Sequence, residues 1–206
     1  MNKLHSKIIL ITSFCVLLLV TRIVLNESRN YLFLVWNLFL AFIPLVISQY
    51  LLSRKLDYSK YKLLILSGIW ILFLPNCPYI ITDFAHIIQS RPASIWLDIL
   101  LLFSFAFTSL LFGLISINQM LNVFRQRWSS QISQVLLVLI CFSCGFGIYL
   151  GRVLRFNSWD IITSPLSILK KSILSYSNST AWFMTLGFGC FLYIAVKFYS
   201  LPYRES

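Results

Sequence analysis

Six apolar runs, each close to twenty residues long, constrain this chain more than any other feature. They cover residues 8–25, 31–52, 63–81, 95–117, 132–150 and 181–200. A helix needs about 20 apolar residues to cross the hydrocarbon core of a bilayer. Membrane β-strands are only about 10 residues long and alternate polar with apolar side chains, a pattern that these runs lack. The runs therefore predict an all-α polytopic transmembrane helix bundle of about six spans.

The composition excludes several other classes of protein. Hydrophobic residues make up 59% of the chain and charged residues 11%, whereas soluble domains carry about 25% charged residues. An ordinary soluble enzyme, a coiled coil and a disordered chain are thereby excluded. Six spans fill most of the 206 residues, which predicts one membrane-embedded domain over residues 1–206. Lys3 and Lys7 precede the first run as in a signal peptide, but no small-residue cleavage site follows it, so we expect an uncleaved span.

The charged residues indicate partners and orientation. Lys and Arg outnumber Asp and Glu by 17 to 6. The basic residues lie at the ends of apolar runs and form no stripe, which indicates membrane lipids as partners and argues against nucleic acid. With a cytoplasmic N-terminus, ten basic residues fall inside and seven outside, four of these seven within 152–179. We therefore expect both termini in the cytoplasm, 53–62 and 118–131 inside, and 82–94 and 152–179 outside.

The third run contains an interruption, Pro75-Asn76-Cys77-Pro78. Proline within a helix removes a backbone hydrogen bond and clashes with the preceding turn. We therefore predict a broken third helix, with Asn76 capping the segment that follows. Irregular backbone at membrane depth persists only where it is buried in protein or faces water, and broken helices often build binding sites.

The connection 152–179 is predicted to contain a short interfacial helix over about 165–176. Ser164 followed by Pro165 is a typical helix start, a capping hydroxyl before a proline in the first turn. Apolar residues then recur at helical spacing on one side, which is typical of a helix lying in the head-group plane. These residues are Leu166, Leu169, Ile173 and Tyr176, with Lys171 and Ser175 on the other side.

Small residues in the fifth run predict a helix contact. Gly147-x-x-x-Gly151 allows close approach of another helix, either within the chain or in a homo- or hetero-oligomer. Cys141-x-x-Cys144 lies in mid-run without a second cysteine pair, and we interpret these cysteines as small apolar packing residues.

Polar residues follow the break at a helical spacing. Asn76, Tyr79, Asp83 and His86 are related as i, i+3, i+7 and i+10 and would share one face of an α-helix. Asp83 and His86, one turn apart, could share a proton or a metal ion. The alternative is an ordinary outer loop with solvated polar side chains.

Two further motifs belong to the same membrane face. Asp98 opens the fourth run, and Arg152 and Arg155 close the fifth, followed by Asp160. Ionisable residues at membrane depth are costly and are usually paired or functional. We predict that at least one of the two arginines forms a salt bridge with Asp83, Asp98 or Asp160. The alternative to a functional site is a structural network pairing both arginines with Asp98 and Asp160.

These motifs resemble a known family. The runs 74–83 (Leu-Pro-Asn-Cys-Pro-Tyr-Ile-Ile-Thr-Asp) and 151–160 (Gly-Arg-Val-Leu-Arg-Phe-Asn-Ser-Trp-Asp), with Trp96-x-Asp98 between them, are similar to the bacterial integral membrane proteins of domain-of-unknown-function family 1361. Cys77 stands where a small residue such as alanine is expected. The resemblance implies a multi-pass protein of the bacterial inner membrane and supplies no activity.

Two functional hypotheses follow from these residues. The first is an enzyme that acts on a lipid or lipid-linked phosphate at the outer face, with Asp83, His86 and Asp98 catalytic. A metal, if any, would use the same three side chains, and the sequence identifies no cofactor. The alternative is a small transporter or an accessory or assembly subunit, in which the cluster is a structural salt-bridge network. Substrate-binding residues in the first hypothesis are Arg152, Arg155, Asn157, Trp159, Asp160, Asn76 and Tyr79.

Overall fold

The computed structural model describes residues 3–26, 29–54, 58–89 and 95–200. This part of the chain is an all-α bundle with six spans that are long and apolar enough to cross a membrane, as predicted. The α-helices are α1 (Lys3–Asn26), α2 (Phe33–Ser53), α3 (Lys60–Phe73), α4 (Asn76–Tyr79), α5 (Ile95–Arg127), α6 (Ser130–Arg152), α7 (Asp160–Thr163), α8 (Pro165–Leu174) and α9 (Ser179–Tyr199).

Polar caps set where three of the spans begin. The hydroxyls of Ser59 and Ser129 accept hydrogen bonds from the backbone N–H groups three residues later, at 3.2 and 3.3 Å. At the start of α9, the side-chain oxygen of Asn178 accepts a hydrogen bond from the backbone N–H of Thr180, two residues later, at 2.9 Å. Each cap satisfies a backbone donor that the first turn of a helix leaves free.

Two helix pairs form the frame of the bundle. α2 packs along α5, and α6 packs along α9. The third span lies between these two pairs, and α1 packs against α5. Cys141 and Cys144 are buried in the core between α3, α5, α6 and α9, which agrees with their interpretation as packing residues.

α5 extends ten residues beyond the predicted end of the fourth span, from residue 117 to Arg127. Its 33 residues rise about 50 Å, well over the ~30 Å of a bilayer core. The extension stays helical because Met120, Val123 and Phe124 are buried against α3 and α6. Residues 118–127, which were expected on the cytoplasmic side, therefore form part of this helix.

The third span is broken where the prolines predict. α3 has 14 residues and rises about 21 Å, short of the ~30 Å that a full crossing requires. After Leu74 and Pro75 the chain continues as α4 and then as a 3₁₀ helix over Ile80–Gln89. Pro75 and Pro78 have no N–H to donate, so two hydrogen bonds of a continuous helix are missing.

Two details of the prediction for this segment were wrong. Asn76 is not a cap, because it is the first residue of α4 and its amide reaches backwards to the Phe73 carbonyl at 2.8 Å. The residues after α4 form a 3₁₀ helix, so the four predicted polar residues do not share an α-helical face. Three residues per turn place Asp83 on the side of Ile80, and both are buried.

The predicted interfacial helix is present as α8, followed by a 3₁₀ turn at Ser175–Ser177. Pro165 occupies its first turn, but the Ser164 hydroxyl makes no capping hydrogen bond, contrary to the prediction. The polar side of α8 faces the bundle: Lys171 lies over the Phe156 ring and Ser175 is buried. The apolar side points outwards, with Leu166, Leu169, Ile173 and Tyr176 all exposed.

One end of the bundle gathers the polar motifs. There α1, the broken third span and α6 end, and α2 and α5 begin. We call it the carboxylate end, because Asp83, Asp98 and Asp160 lie there. The opposite end, where α2 and α5 end and α3 and α6 begin, is the basic end.

Candidate functional site

A cleft of about 530 Å³ opens at the carboxylate end. Its walls are α2, α3, the break in the third span, α6 and the loop after α6, with one residue each from α7 and α8, Ile161 and Ile168. Most of the lining is apolar, and the polar groups come mainly from two of the sequence motifs, the runs 74–83 and 151–160. The polar lining comprises Asn37, Asn76, Tyr79, Ser143, Arg155, Asn157 and Ser158.

The loop after α6 fills the gap in the broken helix. The Ser158 hydroxyl donates to the Leu72 carbonyl at 3.2 Å and accepts from the Asn76 amide at 3.2 Å. Asn76 also donates to the Phe73 carbonyl. Backbone carbonyls left open at a break in a helix are costly at membrane depth unless other groups bind them. This loop supplies those groups and so fixes the wall of the cleft.

α5 supports the break from the other side. The Ser109 hydroxyl donates to the Cys77 carbonyl at 2.6 Å. The Cys77 side chain is fully buried and donates to the Ala41 carbonyl of α2 at 3.4 Å. The break is therefore held by hydrogen bonds from α5, α2 and the loop after α6, and it forms a fixed part of the fold.

Two of the three glycines of α6, Gly147 and Gly151, contact this broken span. A methyl group added at Gly147 would overlap the Pro75 ring, and one at Gly151 would lie 3.1 Å from the Tyr79 ring. The predicted contact of the fifth helix is confirmed, and it lies within the chain. Because neither glycine has a side chain, the proline and tyrosine rings approach the α6 backbone directly.

Arg155 has the least usual backbone in the site. Its φ of 58° is the one positive value at a non-glycine residue in the described ranges, and this region costs ordinary side chains about 1–2 kcal/mol. Phe156 then donates its N–H to the Leu150 carbonyl at 3.0 Å, which closes the end of α6. Strained backbone of this kind often accompanies function.

The guanidinium of Arg155 lines the cleft and is exposed. Within the described ranges, no ion pair or hydrogen bond engages its side chain. The predicted pairing of this arginine with Asp98 or Asp160 is therefore not found there. Lys171 adds a second positive charge nearby, 4.8 Å from the centroid of the Phe156 ring that lines the same cleft.

Asp160 and Trp159 have local roles beside the cleft. The Asp160 carboxylate accepts from the Asn157 backbone N–H at 2.7 Å and from the Thr163 hydroxyl at 3.3 Å. It thus stabilises the turn that leads into α7, and local donors take the place of the predicted arginine. Trp159 stands edge-on to Trp36 of α2 with ring centroids 6.4 Å apart, and Trp36 lines the cleft.

Asp83 lies behind the cleft in a small network. Arg152 donates to one carboxylate oxygen at 3.1 Å and Asn37 to the other at 3.2 Å. Asp83 is only 2% exposed, while the Arg152 side chain is 28% exposed. This salt bridge confirms the prediction that one of the two arginines pairs with an aspartate. Asn37 connects the network to the cleft, because its side chain also lines it.

Asp98 pairs with an arginine from a different helix. Arg22 of α1 binds it through two donors, Nε to one oxygen and Nη2 to the other at 3.2 Å. Asp98 is fully buried and Arg22 is 5% exposed. The Tyr31 ring covers the guanidinium, 5.6 Å from its centroid. The alternative network that paired both arginines with Asp98 and Asp160 is not found among the described residues, because α1, which packs on α5, brings its own cation to Asp98.

The predicted cluster therefore divides into three parts. Arg22–Asp98 joins α1 to α5, the Asp83 network joins the third span to α2 and α6, and the cleft carries Arg155. The side chain of His86 lies outside the described residues. Among the side chains that the structure describes, no group of three His, Cys, Asp or Glu residues could hold a metal ion.

The sequence analysis did not identify several of these residues as functional. Arg22 was counted among the basic residues of the outer side, although an arginine three residues before the end of an apolar run suggests a buried partner. Ser109 gave no signal beyond a hydroxyl within an apolar run. Trp36 and Phe156 gave none, since aromatic residues near span ends are usual.

Comparison with known proteins places the chain in a family. The profile of family DUF1361, described as a protein of unknown function, matches residues 36–195. This stretch includes the break, Asp98 and the loop after α6. Searches of curated proteins and of solved structures found no match. Because the profile covers well over half of the 206 residues, the chain belongs to the DUF1361 family.

Proposed function

We propose that this protein binds the anionic head group of a lipid or lipid-linked phosphate in the cleft, at the outer face of a bacterial inner membrane. The observation that carries the proposal is Arg155, an exposed guanidinium on the cleft wall without an ion pair among the described side chains. A guanidinium matches the geometry of a phosphate and can bind it through two hydrogen bonds.

The rest of the cleft suits an amphiphile. Its volume of about 530 Å³ is within the usual range for small-molecule sites, roughly 300–1,000 Å³. Asn76, Tyr79 and Asn157 offer hydrogen bonds around the head group, and the apolar lining of α2, α3 and α6 offers contact to a hydrocarbon chain. Such a division into apolar walls and a few polar groups is typical of ligand sites.

The position of α8 supports entry of the ligand from the bilayer. Ile168 on its inner side lines the cleft, whereas Leu166 and Ile173 on its outer side are exposed. A helix with this distribution lies at the level of the lipid head groups. A lipid in the same leaflet would therefore reach the cleft without leaving the membrane.

The chemistry of the described residues favours binding over acid–base catalysis. The described lining of the cleft contains neither a carboxylate nor an imidazole. Asp83 and Asp98 are buried against Arg152 and Arg22, which supports the alternative that they stabilise the fold. Their catalytic role, and that of His86, stays a prediction.

The proposal is tested by lipid binding to the purified protein in nanodiscs of neutral lipid. The ligand is a fluorescent lipid phosphate, compared with its uncharged alcohol. We expect Arg155→Gln to weaken binding of the phosphate about tenfold or more, since hydrogen bonds to charged groups contribute about 1.5–3 kcal/mol. Binding of the alcohol should change little. Arg29→Gln is the matched control, an exposed arginine outside the cleft.

Arg155→Gly separates binding from stability. Glycine tolerates the positive φ of 58°, so this variant should be as stable as the wild type or up to about 1 kcal/mol more stable. It should nevertheless lose affinity for the phosphate as Arg155→Gln does. Full affinity in both variants, or an equal loss in Arg29→Gln, would contradict the proposal.

A further inference from the structure

The charges of this protein are unevenly distributed between its two ends. The carboxylates on described residues, Asp83, Asp98 and Asp160, all lie at the carboxylate end. At the basic end, α2, α3 and α5 bring together cations without a carboxylate among the described residues. These cations are Arg54, Lys60, Lys62, Arg125 and Arg127.

Two of the cations share one aromatic ring. Lys62 lies 4.9 Å from the centroid of the Tyr50 ring and donates to its hydroxyl at 2.5 Å. Arg54 lies 5.4 Å from the same centroid. Two positive charges on one tyrosine repel each other unless an anion lies between them or nearby. The ring places both charges at the end of the α2 span, where they can face a common ligand.

A second tyrosine binds a third cation beside them. Arg127 donates to the Tyr58 carbonyl at 3.3 Å, and its guanidinium lies 5.9 Å from the ring centroid. Burial raises the pKa of Tyr58, so its phenol stays a protonated donor. The Tyr58 hydroxyl and the Arg127 Nε are buried and have no hydrogen-bond partner among the described residues. Unsatisfied buried donors are costly in a folded protein and usually indicate a missing acceptor.

We propose that this basic patch, formed by Tyr50, Arg54, Tyr58, Lys62 and Arg127, binds the phosphate of an anionic phospholipid in the adjacent leaflet. A phosphate supplies what the described residues of the patch lack, negative charge for Arg54, Lys62 and Arg127 and acceptor oxygens for their N–H groups. This site lies at the opposite end from the cleft and is independent of the function proposed there.

The depth of the patch favours a lipid over a soluble anion. Tyr50 is in the last turn of α2, and Lys62 is in the first turn of α3. Cations at the ends of spans extend to the level of the lipid phosphates. A head group is also held at high local concentration there, whereas a free phosphate would have to be captured from solution.

The test measures lipid selectivity directly. The protein is placed in nanodiscs that contain phosphatidylcholine and phosphatidylglycerol in equal amounts, and bound lipids are counted by native mass spectrometry. The wild type should retain phosphatidylglycerol preferentially. Arg54→Gln with Lys62→Gln should reduce this preference about 25-fold, because each cation near the membrane surface contributes about fivefold.

Two controls make the result specific. Lys197→Gln removes a cation at the same end that lies over Tyr193 at 5.4 Å but already donates to Gln134 at 2.7 Å. Because Lys197 lies outside the patch, its loss should lower the preference by no more than about fivefold, clearly less than the loss in the double variant. Asp57 lies outside the described residues, and Asp57→Asn should leave the preference unchanged. A preference that appears only in Asp57→Asn would mean that this carboxylate is the counter-ion, and the proposal would fail.

Other outcomes are equally decisive. Equal lipid retention in the double variant and the wild type, with unchanged thermal unfolding in pure phosphatidylcholine, would refute the site. Retention of added inorganic phosphate but not of phosphatidylglycerol would refute the lipid as its ligand. Arg155→Gln should not alter the preference, so failure at the basic patch is distinguishable from failure at the cleft.

Discussion

At the scale of single residues, the two buried aspartates differ in how completely their charge is enclosed. Arg22 binds Asp98 through both of its oxygens and neither residue is open to solvent. Asp83 has an equally buried carboxylate, but its partner Arg152 is partly exposed. An arginine left without its aspartate would therefore cost far more free energy of folding at Arg22, which is buried, than at Arg152, which is partly exposed.

Asp98→Leu should destabilise the fold by about 3–5 kcal/mol, because it leaves the Arg22 guanidinium buried without a counter-charge. Arg22→Met combined with Asp98→Leu should recover much of this loss, since neither charge is then desolvated. Thermal unfolding in detergent measures both. If the double variant is as unstable as the sum of the single variants, the two residues are not coupled as the geometry implies.

The two salt bridges differ in whether the sequence alone could predict them. Arg152 and Asp83 lie at the same end by the parity of the spans, so their pairing could be predicted. Asp98 and Arg22 are 76 positions apart in the chain, and no periodic pattern connects them. Their pairing depends on which face of α5 contacts α1, which only the packing of the helices decides.

At the scale of helices, the length of the apolar runs predicted the spans, and Pro75 and Pro78 predicted the break. The conformation after the break could not be predicted, because it depends on partners distant in sequence. Ser109 and Ser158 bind carbonyls that a regular α-helix would have used itself. With those carbonyls satisfied, the chain is free to continue as a 3₁₀ helix with Asp83 turned inwards.

Gly147→Ala should destabilise the protein by about 1–3 kcal/mol, because the added methyl overlaps the Pro75 ring and the backbone of α6 must shift. Gly187→Ala is the matched control in α9, with open space around it. That substitution should be neutral or stabilise α9 by up to about 1 kcal/mol. The free energies of unfolding of the two variants are compared by thermal unfolding.

A background without Pro75 tests whether contact with the proline ring causes the destabilisation by Gly147→Ala. In a Pro75→Ala background, Gly147→Ala should cost clearly less, because the ring that it meets is gone. An unchanged cost in that background would assign the effect to α6 alone. The prediction would also be wrong if Gly147→Ala and Gly187→Ala behaved alike.

At the scale of the whole molecule, the charge distribution bears on orientation. Arg22 and Arg152 count among the seven basic residues of the proposed outer side, yet each is paired with an aspartate. The cations of the basic end have no such partners among the described carboxylates. Orientation follows the count of Lys and Arg, to which carboxylates contribute little, so the cytoplasmic basic end stays a proposal that rests on ten basic residues against seven.

Single cysteines at Ser59 and Ser90 test this orientation in a chain whose five native cysteines are replaced. We expect an impermeant thiol reagent to label Ser90→Cys and not Ser59→Cys in intact cells. After the membrane is permeabilised, both positions should react, which shows that each cysteine is accessible. Labelling of Ser59→Cys alone in intact cells would reverse the topology, and with it the face assigned to the cleft.

The hydrogen bonds of Ser158 also have a consequence for biosynthesis. Its hydroxyl donates to Leu72, a residue that is synthesised 86 positions earlier. Ser109 of α5 reaches Cys77 across 32 positions. The third span therefore enters the membrane before the groups that bind its open carbonyls exist.

Until α5 and the loop after α6 have been inserted, it has to remain beside the insertion machinery or keep water around its break. A ribosome-bound chain that ends before residue 150 should expose this segment to crosslinking, and release should follow once Ser158 has emerged.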